Sequence, residues 1–426
     1  MHQTITFMIQ IKSIVDCVGC SACAQKCPKH SITMTIDKEG FYYPKIDLAT
    51  CVDCGLCEKV CPIIQPSPER LPTSAFAAKN LNEQIRIQSS SGGVFNVLAE
   101  QTIAEGGVVF GARFNHDWEV VHSFTESFEG LKFFRQSKYV QSNIGTSFKQ
   151  TELFLKAGRK VLFSGTPCQI AGLKCFLQKE YANLLTVDFI CHGVPSPGVW
   201  KHYLETELKL SIQSSRFEKD IISTSAQPSI DNIEFREKRS HGWKKYSFVV
   251  NGKSTPKTNS NTILLLHRFG ENAFMKAFLN DLILRPSCHL CQFKKHQVAA
   301  DITIADFWGF EHISPNDEDD KGVSLIMCRN TKGQEAFKPN NYWIYPVDFH
   351  QLKQYSINRS APLKLGRNRF IKDAIKGNIT QLAQKNRLTV PASRKGIVSF
   401  INRNINRFQK YPAIWKHFVR IYFCLK

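Results

Sequence analysis

The chain has 426 residues, 42% of them hydrophobic and 22% charged, the composition of a folded globular protein, which excludes the disordered and fibrous classes. At about 100–200 residues per domain this length predicts two to four domains with ample core. The formal charge of +20 is unevenly placed: residues 1–66 carry six basic and six acidic side chains, whereas after Asp373 there are eleven Lys or Arg and no acid. No run approaches the ~18–20 uninterrupted apolar residues of a spanning helix, and the first residues lack the basic region and small-residue cleavage site of a secretory signal. Eight of the fifteen cysteines fall between Cys17 and Cys61. Such clustering points to metal rather than to a disulfide scaffold, and with it to a reducing, cytoplasmic location.

In chain order, the first feature is a self-repeat. C-x2-C-x2-C-x3-C-P occurs at Cys17, Cys20, Cys23, Cys27, Pro28 and again 34 residues later at Cys51, Cys54, Cys57, Cys61, Pro62. Three cysteines two residues apart can wrap one [4Fe–4S] cube while the fourth points away, so this spacing predicts crossed ligation. One cluster takes Cys17, Cys20, Cys23 and Cys61; the other takes Cys51, Cys54, Cys57 and Cys27. Paired zinc sites also use C-x2-C, but zinc does not call for four cysteines followed by proline in two copies. Between the copies, SITMTIDKEGFYYPKI alternates apolar and polar residues around Lys38-Glu39-Gly40, a hairpin signal. Residues 1–64 are expected to form a small ferredoxin-like domain with two clusters.

Pro66, Pro68 and Pro72 in QPSPERLPTS make residues 65–74 an extended linker. Strand-like runs at 108–114, 160–165 and 184–191 then alternate with helix-like runs such as 93–106, residues 229–250 read as two strands around a polar turn, and helical periodicity is expected at 263–284. The fold class expected is α+β: the small domain, a larger mixed α/β domain over 75–345, and a basic, largely helical region over 346–426. The acidic run Asp317 to Asp320 reads as a solvated loop.

Two further chemical signals lie in the larger domain. Ser90, Ser91, Gly92 and Gly93 precede a helix and can seat a phosphate, although Ser and Gly also simply cap helices. Cys168, Cys191 and the pair Cys288, Cys291 are four soft ligands that can meet if two strand-end loops and a C-x2-C turn converge; otherwise they are buried cysteines and a zinc pair. Cys175, Cys328 and Cys424 stand without such company.

The ordered motifs SSSGGVF, GVVFGARF, SKYVQSNIG, SGTPCQIAGL, DFICHGVPSPGVW and RPSCHLCQFKKHQVAADITIADFWG resemble the coenzyme F420 hydrogenase/dehydrogenase beta-subunit family, here preceded by a bacterial-type two-cluster ferredoxin domain. The resemblance spans about residues 12–330. It implies a flavoprotein with FAD beside a third [4Fe–4S] cluster, whose ligands match Cys168, Cys191, Cys288 and Cys291. It also implies that Ser90, Ser91, Gly92 and Gly93 cradle FAD phosphate, with Gly111, Tyr139, Ser142, Asn143 and the Asp301–Asp306 segment lining the flavin pocket. Ala305 departs from the glycine many relatives carry there.

The expected function is an iron–sulfur flavoprotein oxidoreductase passing electrons from a one-electron carrier through the clusters to FAD and on to a two-electron acceptor. The alternative is an adaptor that relays electrons to a partner enzyme without substrate chemistry of its own. His192 and His289 are the candidate proton donors, each also suited to a hydrogen bond with a cluster sulfur, and Lys294, Lys295 and His296 add positive charge nearby. The basic balance suits an acidic carrier such as ferredoxin or flavodoxin, and the aromatic, basic tail suits peripheral contact with an anionic membrane. No nucleic-acid motif accompanies the charge.

Overall fold

The structure, a computed structural model, describes residues 13–209, 212, 229–253, 262–294, 297–352 and 355–390. The basic tail with Cys424, and Lys295 and His296, lie outside the described residues.

Each cysteine repeat folds the same way. Helix α1 (Ala22–Lys26) follows Ser21, and helix α2 (Leu56–Lys59) follows Gly55. The left-handed residues recur at equivalent places, Gly19 and Ser21 in the first copy and Asp53 and Gly55 in the second, with φ between 48° and 67°. Such reversals curl the backbone so that successive N–H groups point inward, the shape that receives an anionic group. Strands β1 (Ile32–Ile36) and β2 (Tyr42–Ile46) pair antiparallel between the copies, turning at Gly40 with φ 80°.

This N-terminal region is keyed into the rest of the chain. The Gln25 carboxamide oxygen accepts from the backbone N–H groups of Phe148 and Lys149, so it caps the following helix in place of a local side chain. At the hairpin tip, Ser196 Oγ donates to the Glu39 carbonyl at 2.6 Å and Gly198 N–H to that of Gly40 at 3.1 Å. Arg367 grips the Glu39 carboxylate with both terminal nitrogens, at 3.1 and 2.8 Å.

The larger part is built on an eight-stranded mixed sheet. In chain order its strands and those of a smaller sheet are β3 (Ser74–Asn80), β4 (Val108–Phe114), β5 (Val120–Thr125), β6 (Val161–Ser164), β7 (Leu184–Phe189), β8 (Ser229–Glu237), β9 (Ser247–Lys253), β10 (Thr262–Arg268), β11 (Ile302–Asp306), β12 (Ser324–Cys328) and β13 (Tyr342–Pro346). The large sheet runs β13-β3-β12-β11-β7-β6-β4-β5, and β10-β9-β8 forms a three-stranded antiparallel sheet beside it. Strands β4, β6, β7 and β11 are parallel, so crossover segments cover them and their sequences are mostly apolar, as VLF in β6 shows. Helix α3 (Glu83–Ile87) leads into helix α4 (Val94–Ala104), which with helix α5 (Ser147–Lys156) and helix α6 (Pro167–Leu177) supplies much of this cover.

Helix α6 starts where it does because Thr166 and Gln169 form a capping box and Pro167 occupies the first turn. Helix α7 (Pro197–Tyr203) repeats the device with Ser196 and Pro197. Cys168 and Cys191 therefore sit just past the carboxyl ends of the parallel strands β6 and β7, where open α/β sheets gather their sites.

Two expectations are corrected. Residues 262–268 are strand β10, not helix, because TILLLHR pairs edge-on with β9 and carries β-favouring residues; the helix is only Ala273–Leu279, begun by the Asn272 cap. The acidic run is not simply solvated: Asp319 binds Arg86 through both oxygens, Glu318 pairs with Lys244, and the Asp320 carboxylate accepts from the Lys244 N–H. Among the described residues, no helix is long and apolar enough to cross a membrane.

Candidate functional site

The first cysteine neighbourhood brings together the residues that crossed pairing calls for. Burial pushes the Cys20 and Cys23 thiols well up, and the sulfurs of Cys17 and Cys61 act on both in the same direction. Clustered buried thiols of this kind are held as thiolates only against a strong positive centre. Cys57 interacts with Cys54 in its own loop and with Cys23 in the other. Cys27 sits in a turn whose Ser31, Lys29 and Ile32 N–H groups, with the Ser31 hydroxyl, hold it below its ordinary value despite the opposing effect of burial. Cys20 is buried, whereas Cys54 is exposed beside the open Gly55 and the exposed Val52. One half of the repeat thus faces inward and the other faces solvent.

The second neighbourhood joins Cys168, Cys191, Cys288 and Cys291. Burial raises all four, Cys168 to about 12 and Cys288 to about 11, and Cys168 and Cys191 each feel the other members of the paired C-x2-C turn. Thr166 Oγ1 lies 3.1 Å from Cys168 Sγ, and the Val194 N–H donates to Cys288 Sγ at 3.5 Å. Lys294 donates to the Cys191 carbonyl and lowers three of the thiols, opposing burial. Among the described residues, no group of three or more His, Cys, Asp or Glu is placed to hold a single metal ion. Cys175 stands near Cys61, and Cys328 is buried within β12.

The two candidate histidines differ. His192 Nε2 meets the buried Asp281 carboxylate at 2.6 Å and presents its ring edge to Phe278. His289 is buried and bonds the Ala361 carbonyl at 3.2 Å, holding the 360s loop over the Cys288 turn, where the Cys291 N–H also donates to Ser360 Oγ.

Of the residues expected around a flavin, three converge on a side chain that sequence reasoning did not pick out. Arg236, 3% exposed, donates to Asp306 at 2.8 Å, to Tyr139 Oη at 3.1 Å and to the Ser90 carbonyl at 3.4 Å. Trp243 donates to Asp306 as well and stacks on the half-exposed Trp308, with centroids 4.4 Å apart. Tyr139 stacks on Phe278, whose ring also contacts that of His192. Ser91 donates to the Val323 carbonyl, its own carbonyl accepts from Lys238, and Gly92 N–H donates to Ser324 Oγ. A Cβ on Gly92 would lie 2.3 Å from the Ala78 carbonyl oxygen, so glycine alone permits this approach. Gly93 starts α4 with no side-chain cap, leaving that helix's first N–H groups for a ligand or water. Ser142 and Asn143 go elsewhere: Ser142 Oγ joins His122 and Gln169, and Asn143 pairs through its backbone with Val120 and His122. Gly111 packs against Phe134 and Ser164. Arg236 escaped notice because all of residues 233–238 are buried, so the strand shows no inward-outward alternation.

A helix start without a cap, a buried guanidinium, a glycine-only approach and an exposed tryptophan face suit a phosphate-bearing ring cofactor. Cysteine quartets of this kind define the class of iron–sulfur redox proteins. Comparison with known proteins matches two parts of the chain. The profile for the C terminus of the "Coenzyme F420 hydrogenase/dehydrogenase, beta subunit" matches residues 158–341, and that of the "4Fe-4S dicluster domain" matches residues 16–63. Residues 158–341 thus match the C-terminal model of the beta-subunit family, and residues 16–63 match a dicluster ferredoxin domain that supports two [4Fe–4S] clusters. It is 29% identical over 174 residues to the coenzyme F420-dependent sulfite reductase of Methanocaldococcus jannaschii, covering 39% of this chain and 26% of that protein. It is 38% identical over 55 residues to an uncharacterized ferredoxin of the same organism, covering 12% of this chain and 70% of that one. The chain thus spans about a quarter of the length of the sulfite reductase. A solved F420-reducing [NiFe] hydrogenase complex from Methanosarcina barkeri contains a chain with TM-score 0.40 and 15% identity, covering 75% of this chain and 93% of that one.

Proposed function

We propose that the protein is an iron–sulfur flavoprotein oxidoreductase that passes electrons between a one-electron carrier and a two-electron acceptor. In this reading residues 1–64 form the dicluster domain, 65–74 a linker, 75–345 the flavin domain and 346–426 a C-terminal region. Cys17, Cys20, Cys23 and Cys61 hold the inner cluster, Cys51, Cys54, Cys57 and Cys27 the outer one, and Cys168, Cys191, Cys288 and Cys291 a third. Iron–sulfur clusters move single electrons and a flavin stores one or two, so together they convert between the two kinds of partner.

The observation that carries the reading is the packing of Cys20 on α6. Gly172 meets the Cys20 side chain, and Cys168 lies on the same helix one turn earlier, so two cysteine quartets meet at one helix. The exposed Cys54 side gives a one-electron carrier its access. Ser90, Tyr139, Arg236 and Asp306, with the start of α4, hold the FAD, and Trp308 offers it a ring face. His192, oriented by Asp281 and 35% exposed in its side chain, can exchange a proton with solvent, whereas the buried His289 serves the loop.

The adaptor reading has its own support. The chain matches only part of a larger reductase, and Leu290, Leu363 and Phe189 expose apolar surface of the kind that marks protein contacts. Anaerobic purification with iron, sulfide and flavin quantitation tests the first reading: about twelve irons and one FAD per chain are expected, and eight irons without flavin would overturn it. Turnover of an organic acceptor by the isolated chain separates reductase from adaptor.

A further inference from the structure

We propose that Arg285 is a shared counter-ion for two iron–sulfur sites, the Cys17/Cys20/Cys23/Cys61 quartet and the Cys168/Cys191/Cys288/Cys291 quartet, and that it raises the reduction potential of both. The proposal rests on the reading that both quartets hold clusters.

Arg285 is 1% exposed, among the largest fully buried side chains of the protein. Its guanidinium reaches out of the large domain into the N-terminal one. Nε donates to the Cys17 carbonyl at 2.8 Å, Nη2 to the Tyr42 carbonyl at 3.0 Å and Nη1 to Gln141 Oε1 at 2.9 Å. The Gln141 amide nitrogen in turn donates to the Val18 carbonyl at 2.9 Å. The cation lies 4.2 Å from the Tyr43 ring centroid and 5.4 Å from that of Phe41. A Cβ on Gly19 would come 2.9 Å from Nη1, so the first cysteine loop carries glycine where the guanidinium enters.

The other end of the residue belongs to the second quartet. The Arg285 N–H donates to the Val194 carbonyl, and its own carbonyl accepts from the Cys288 N–H at 2.9 Å. The residue begins the 3-10 turn Pro286–Leu290 that carries Cys288.

Among the described residues, all three hydrogen-bond partners of the guanidinium are neutral oxygens, and no carboxylate pairs with it. A buried cation without a carboxylate is costly unless another negative charge is near. A cube held by four thiolates is such a charge, and it gains one more electron on reduction. Fixed positive charge close by stabilises the reduced form, which is the sense in which net charge sets cluster potentials. One side chain between the two quartets acts on both and keeps their potentials in step.

The test uses the full chain, purified anaerobically, with Arg285→Gln and Arg285→Met as uncharged replacements and Arg285→Lys as the charged one. Iron is quantified, and each cluster is followed by EPR during a redox titration. At the native midpoint, the reduced-to-oxidised ratio of the inner and third clusters is expected to fall at least about tenfold in an uncharged variant, ~59 mV for a one-electron couple. Arg285→Lys is expected to change it less than about threefold, and the outer cluster is expected not to move. Loss of iron from both uncharged variants but not from Arg285→Lys also supports the assignment. An iron-replete uncharged variant that titrates with the native chain, a lysine variant shifted as far as the glutamine one, or loss of iron from all three would overturn it. A native chain holding about eight irons instead of about twelve would fail the three-cluster reading itself, whatever the variants do.

Discussion

Gly172 of α6 lies against Cys20, so close that a Cβ there would stand 2.9 Å from both Cys20 Cβ and Sγ. This contact joins the innermost cysteine of the N-terminal repeat to the helix that begins with Cys168. Gly172→Ala drives a methyl group into the Cys20 side chain and is expected to cost about 1–3 kcal/mol. Thermal unfolding reads that loss, and a chelator challenge should strip iron from the N-terminal domain faster than in the native chain. Unchanged melting and iron retention would show that the contact is slack.

Cys288 and its neighbour Cys291 are gathered with two cysteines from distant segments, Cys168 and Cys191. Cys288→Ser is expected to remove about four irons per chain and leave the about eight of the dicluster domain. Iron and sulfide analysis decides it, and an unaltered iron content would remove Cys288 from the ligand set.

Arg236 organises Ser90, Tyr139 and Asp306. Arg236→Ala leaves Asp306 short of its guanidinium and opens the space behind Ser90, so the chain is expected to purify with full iron and little flavin, while Arg236→Lys keeps part of it. Flavin absorbance per iron is the measurement. Equal flavin in all three proteins would place the cofactor elsewhere.

His122 supplies a pH signature. Burial holds it down to about 4, while its ring bonds the Ser164 carbonyl and Ser142 Oγ, each at 2.9 Å. An unfolded histidine titrates near 6.5, so between the two values the unfolded chain binds the extra proton. The contribution is whole above about pH 6.5 and is lost as pH falls toward about 4, ~3 kcal/mol in full. Denaturant midpoints of His122→Asn are expected to fall less steeply than those of the native chain across this window. Parallel curves would refute the assignment.

Glu39 and Arg367 clamp the hairpin tip to the C-terminal part of the described chain. Arg367 is 2% exposed in its side chain and Glu39 14%, so Glu39→Ala strands a buried cation and is expected to cost about 3–5 kcal/mol. Hydrogen exchange should rise across β1 and β2. Exchange unchanged in the hairpin would mean that the Ser196 and Gly198 contacts hold it alone.

Much of the architecture is legible in the amino-acid order. The 34-residue cysteine repeat is local, so spacing alone carries the dicluster domain and its hairpin, and the parallel strands announce themselves as short apolar runs bounded by turn residues. The β8–β9 pair is equally plain, because two strand-like runs around a polar turn are a short-range signal. Residues 262–268 misled because a short apolar run suits helix and strand alike, and only pairing with β9 decides between them.

The sites divide in the same way. Residue type and spacing suffice to mark which cysteines repeat, where the serine–glycine turn lies and which four further cysteines are chemically suited to meet. Only folding in three dimensions rests Cys20 on the helix of Cys168, lets Arg236 gather residues from three separate segments, and stretches Arg285 across two cysteine quartets. Those relations join positions more than a hundred residues apart in most cases, and no local pattern encodes them: a buried arginine looks like any other until its carbonyl partners close around it.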